Sequence, residues 1–128
     1  MENYSEDKAV KLLYEAKSKW FQVCYEKRID KGAEDCALCK EYRNTNTGNC
    51  GKCPINLYTY HSGCRGTPYD KLITYMFKNS VLHTRIDKDN SSHAEMFKLA
   101  LDQYNFIECV IHWCTSQYGI MPYDTKEE

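Results

Sequence analysis

The chain has 128 residues, with 17 lysines and arginines against 18 aspartates and glutamates, and it carries 8 cysteines, 11 tyrosines, 4 phenylalanines and 2 tryptophans. That length fits one domain able to bury roughly two thirds of its unfolded surface, so the cysteines are not needed to rescue a tiny core. The balanced charge excludes the overall basic footprint of a protein that coats nucleic acid, and no run of 18 apolar residues offers a membrane span.

The opening segment, Met1 to Asp7, is polar and acidic, unlike a secretory signal. The expectation is a cytoplasmic chain with reduced thiols. Residues 5–28 predict the first helix. Val10, Leu13, Tyr14, Trp20, Phe21 and Cys24 fall at helical spacing, with Lys8, Lys11, Glu15 and Lys19 elsewhere. Glu6 and Asp7 suit the positive end of its dipole, and Lys27 and Arg28 the negative end.

Residues 36–67 hold the chemistry. Cys36-Ala37-Leu38-Cys39 and Cys50-Gly51-Lys52-Cys53 are two C-x2-C knuckles separated by ten residues. Each knuckle turns two sulfurs toward one point, and a pair of them closes a tetrahedral four-sulfur site. Cys36, Cys39, Cys50 and Cys53 are therefore the predicted ligands of one structural Zn²⁺, with an iron–sulfur cluster as the alternative for the same soft donors. Cys64, eleven positions beyond Cys53, is an alternate ligand, a bonding partner for a neighbouring thiol, or a packed thiol beside the site; His61 could also ligate. Cys24, Cys109 and Cys114 lie in helical patterns and read as small core residues. Ile55 to Tyr60 alternates like a strand and predicts one short β-ribbon.

Thr67-Pro68-Tyr69-Asp70 then signals a helix start, and the second helix is predicted over 67–79. The third is predicted over 92–118, opening on a Ser92–Glu95 capping box and ending before Gly119 and Pro122. It is apolar nearly all round, which suits either a central position or a homodimer contact. The expected fold is mainly α, a single domain over 1–128 with three helices around a metal-organised cysteine-rich loop.

The stretch from Asp35 through Cys36, Cys39, Cys50, Cys53-Pro54 and Gly63-Cys64-Arg65-Gly66-Thr67-Pro68-Tyr69 resembles a pattern in small, largely uncharacterised phage-encoded proteins. Trp20, on a helix before the cysteines, matches the same arrangement. The resemblance covers roughly residues 20–75 and implies a phage origin and a metal site, without an activity.

Enzyme signatures are missing: no Gly-rich phosphate loop, no His-Glu-x-x-His and no Gly-x-Ser-x-Gly. A Cys64/His61 nucleophile pair has only closeness in sequence behind it, and the expectation is that the chain is not an enzyme. Nucleic acid is the alternative partner, because Lys40, Arg43, Lys52 and Arg65 interleave with Tyr42, Tyr58 and Tyr60. Four thiolates on one Zn²⁺ would cancel much of that positive charge. The preferred expectation is a zinc-stabilised protein-interaction module, a host-interaction or anti-defence factor that binds and inhibits a bacterial host protein. Tyr42, Arg43, Lys52, Tyr58, Tyr60 and Arg65 are its predicted contact residues.

Overall fold

A computed structural model describes residues 6–42, 53–59 and 66–116. The described residues form α1 (Glu6–Tyr25), α2 (Ala37–Tyr42), α3 (Pro54–Thr59), α4 (Pro68–Lys78) and α5 (Ala94–Ser116), with 3-10 turns at Gly32–Asp35 and Ser91–His93. The fold is mainly α, and no strand occurs among the described residues.

In α1 the buried stripe is Ala9, Leu13, Ala16, Trp20 and Val23, joined by Cys24. That register rotates Tyr14 and Phe21, expected in the core, onto an exposed flank. The small side chains of Ala9 and Ala16 let the helix approach its neighbour, which a ring at the same position would prevent. Lys27 stops the helix by entering the left-handed region at φ 57°, and the Arg28 N–H returns to the Gln22 carbonyl at 3.2 Å.

The predicted β-ribbon at 55–60 is instead helical over its described residues 55–59, which belong to α3, while Tyr60 lies outside the described residues. Cys53 precedes Pro54, which supplies the φ suited to a first helical residue, and Ile55 is buried beneath the turn. The Thr59 hydroxyl then donates to the Ile55 carbonyl at 2.9 Å, a bond across one helical turn. Alternation over so few residues does not separate a strand from a helix. Among its described residues the cysteine-rich stretch thus contains two short helices, each preceded by a cysteine.

Helix α4 starts as its sequence predicts. Thr67, at φ −87° and ψ 168°, accepts from the Asp70 N–H at 3.4 Å, and Asp70 accepts from the Gly66 N–H at 2.9 Å. Its end has no glycine. Ser80 takes the left-handed conformation at φ 57°, so that its N–H reaches the Phe77 carbonyl at 3.2 Å and Val81 N–H reaches Met76 at 2.9 Å. This bond pair is the Schellman closure. The connection that follows is anchored by buried Ile86.

Asn90, two residues before the predicted cap, opens the last helical segment: its side chain accepts from the Ser92 N–H at 2.9 Å and the Ser92 hydroxyl at 2.7 Å. Helix α5 is central and packs on α1, α3 and α4. It buries Met96, Ala100, Ile107, Val110 and Ile111, which explains its near-uniform apolarity. Helices α1 and α5 run antiparallel, since Lys17, Phe21 and Tyr25 meet Glu108, Tyr104 and Phe97 in that order. Among the described residues no helix is long and apolar enough to cross a membrane.

Candidate functional site

Cys36 stands at the head of α2, where a cap residue belongs. Its Sγ accepts from the Cys39 N–H at 3.4 Å, and its carbonyl accepts from the Lys40 N–H at 3.0 Å. The hydrogen bond between the two cysteine side chains pulls the Cys36 thiol down from its ordinary range to about 6. Burial opposes this, while the Cys39 and Leu38 N–H groups and the Lys19 charge assist it. The first C-x2-C knuckle is therefore built: two sulfurs together, one of them readily deprotonated.

Cys53 heads α3 in the same manner and is 6% exposed. Tyr42, at the end of α2, senses it. Burial, then negative charge on Cys53, Glu41 and Cys114, pushes the phenol up to about 12. Among the described residues the buried Tyr42 hydroxyl has no hydrogen-bond partner. The predicted ligands Cys36, Cys39 and Cys53 are all described, yet among the described residues no group of three or more His, Cys, Asp or Glu side chains is arranged to hold a metal. The predicted ligand Cys50, the alternate Cys64 and His61 lie outside the described residues, as do the predicted contact residues Arg43, Lys52, Tyr60 and Arg65.

Beside the knuckle lies a buried polar network that hydrophobic periodicity does not reveal. Lys19, 5% exposed, donates to Asp30 Oδ1 at 2.6 Å, with Asp35 Oδ2 3.9 Å away. Asp30 also accepts from the Gly32 N–H and the Tyr69 hydroxyl, each at 3.0 Å. Its carbonyl faces His83 Nδ1 at 2.9 Å. Burial works against the Asp35 carboxylate, but the Arg28 guanidinium and Lys19 outweigh it and hold its pKa low. Gly32, at φ 71°, makes the turn that brings Asp30 back beneath Tyr69. Gln103, 3% exposed, accepts from the Tyr69 N–H at 3.0 Å. Of these groups Lys19, Gly32, Tyr69 and Gln103, together with Trp20, Ile55, Ile107 and both knuckle cysteines, wall a cavity of about 50 Å³.

Among the described residues an aromatic stretch runs along the α1/α5 seam. Tyr14 is 52% exposed, and Phe21 and Tyr25 are each 42% exposed. Phe21 lies 5.0 Å from Tyr25 and 6.2 Å from Tyr104 between ring centres, and Tyr25 meets Phe97 edge-on at 5.8 Å. The Lys17 ammonium sits 5.8 Å from the Tyr14 ring and 5.5 Å from the Tyr104 ring, and pairs with Glu108. Of the predicted contact tyrosines, Tyr58 is half-buried and packs edge-on against Phe106 and Trp113 at 5.9 and 5.5 Å. Tyr42 is half-buried against the core. Their rings serve internal packing.

Cys24 and Cys114 are core residues as predicted, and burial pushes the Cys24 thiol up to about 11. Cys109 is exposed. With Ile107, Val110, Ile111 and Cys114 facing inward, the 100° step per residue turns position 109 to solvent.

No protein-family pattern matches the chain, and neither a curated protein nor a solved structure is significantly similar to it.

Proposed function

We propose that the chain is a metal-stapled protein-interaction module. The observation that carries this reading is the aromatic seam along α1 and α5, with Tyr14, Phe21 and Tyr25 exposed on α1 and Tyr104 half-buried beside them on α5. Aromatic side chains lose little entropy when a partner covers them, and such residues dominate interface energetics. Zn²⁺ on Cys36, Cys39, Cys50 and Cys53 is the proposed staple, and an iron–sulfur cluster is the alternative on the same donors. The metal would hold the chain between α2 and α3, which carries few apolar residues of its own.

The phage-type cysteine pattern supports a bacterial host protein as the partner, and inhibition as the outcome. A second copy of the chain is the rival occupant of the seam, since Phe97 and Tyr104 belong to α5. Nucleic acid fits this surface less well: its cation, Lys17, is committed to Glu108.

The test is affinity capture from bacterial lysate with the native chain and with Phe21→Glu. A stoichiometric protein retained by the native chain and lost from the variant is the expected result. Equal capture by both contradicts the seam as the contact. Light scattering separates the rival, because a self-associating seam doubles the native mass and Phe21→Glu returns it to monomer.

A further inference from the structure

We propose that Cys36 and Cys39 form a thiol–disulfide redox site, a pair that small disulfides oxidise to an intramolecular bridge and small thiols reduce again. The site needs only these two sulfurs and is independent of the metal reading above. Cys36 and Cys39 stand on the first turn of α2, which the Lys40 N–H closes onto the Cys36 carbonyl at 3.0 Å. An i to i+3 step on such a turn falls within the separation of about 4.4–6.8 Å between Cα atoms that a disulfide spans. The side chains already meet: Cys36 Sγ accepts from the Cys39 N–H at 3.4 Å and is hydrogen-bonded to the Cys39 thiol. Both are half-buried thiols, within reach of a small molecule, whereas Cys24, Cys53 and Cys114 are buried. Cys109 is exposed, but Cys114, the other cysteine of α5, faces the core.

The co-reactant is a disulfide of a small thiol, R–S–S–R. One knuckle sulfur attacks it, so that a bond from the protein sulfur to R–S forms, the R–S–S–R bond breaks and one R–SH leaves. The second knuckle sulfur then attacks the protein sulfur of this mixed disulfide, forming the Cys36–Cys39 bond and releasing the second R–SH. The two cysteines lose two electrons and two protons, and the small disulfide gains both. Excess R–SH drives the same steps in reverse.

The test treats the full chain, in the presence of a chelator, with glutathione disulfide, then alkylates the remaining thiols and digests with trypsin. Cleavage after Lys31 and Lys40 releases Gly32–Lys40, which carries Cys36, Cys39 and no other cysteine. The expected result is that most of this peptide is recovered unalkylated and lighter by two hydrogens, and becomes doubly alkylated when reduced glutathione is added first. Helical circular dichroism is expected to be the same before and after oxidation, while Cys109 holds glutathione as a lasting mixed disulfide. A peptide that stays doubly alkylated, that keeps glutathione on either cysteine, or that is joined to another cysteine overturns the proposal. Loss of the helical signal on oxidation also overturns it, because the pair would then bridge only in an unfolded chain. In Cys39→Ser the adduct on Cys36 is expected to persist; should that variant not fold, the native peptide decides. The chelator separates this outcome from the metal reading: a chain that holds neither zinc nor iron yet bridges keeps this site and loses the staple, and one that holds metal yet never bridges keeps the staple alone.

Discussion

Replacing Asp30 with alanine removes the carboxylate at the centre of the buried network. Lys19 then keeps an ammonium in a site 5% exposed, with Asp35 Oδ2 at 3.9 Å as the nearest remaining anion. Breaking a buried pair from one side costs about 3–5 kcal/mol. The Tyr69 hydroxyl and Gly32 N–H lose their acceptor as well, each worth about 1 kcal/mol, while partial takeover by Asp35 offsets part of that sum. A total near 4 kcal/mol is a large share of the roughly 6–19 kcal/mol expected for a domain of this size. Urea denaturation of the zinc-replete protein, followed by circular dichroism, measures it. With a slope of about 2 kcal/mol/M the midpoint falls by about 2 M. A shift below about 0.5 M would refute the reasoning, because it would mean that Lys19 finds water or another anion at no cost. Removing both charges, in Lys19→Met with Asp30→Asn, is expected to restore most of the lost stability.

Further outcomes follow from particular residues. In metal-free protein, alkylation of Cys36 rises with a midpoint near pH 6 in place of the ordinary 9.0, and mass spectrometry of the labelled peptide locates it. Because the folded pKa lies below the unfolded one, the Cys36 thiolate contributes stability that is fully present above about pH 9 and is lost as pH falls through about 6; a metal-free melting temperature that rises on acidification across this window contradicts the assignment. Ser80→Gly is expected to stabilise the fold by about 1 kcal/mol, since serine is strained at φ 57° and glycine is not, and a lower melting temperature would rule that out. A limiting dose of maleimide should label Cys109 far faster than Cys24 or Cys114, and Cys109→Ser should change stability by less than about 0.5 kcal/mol.

The helices were largely legible in the residues. Thr67-Pro68 with Asp70 marks its helix start because a cap, a fixed φ and a returning carboxylate all act within four positions. The apolar breadth of 92–118 likewise announces the central helix. What the pattern misread is instructive. Tyr14 and Phe21 share helical spacing with the core but sit on its flank, since periodicity fixes a face only to within its width and the alanines took the closest contact. The strand-like alternation at 55–60 yielded to the helix start at Cys53-Pro54.

The candidate site was half legible. The C-x2-C spacing brings Cys36 and Cys39 together because an i to i+3 step at a helix start does so locally. Lys19 with Asp30 was not legible: a charged residue in an amphipathic helix reads as surface, and its partner is eleven positions away, beyond a turn that only the tertiary fold positions. The aromatic seam was equally hidden, because it joins α1 to α5 across most of the chain.

Metal content tests the central claim most directly. Native mass spectrometry of purified protein, paired with elemental analysis, is expected to find one zinc per chain, or an iron–sulfur cluster on the same cysteines, with the ion lost from Cys39→Ser. A native chain holding neither zinc nor iron near one site per molecule, or a Cys39→Ser variant that keeps its full complement, would contradict the account.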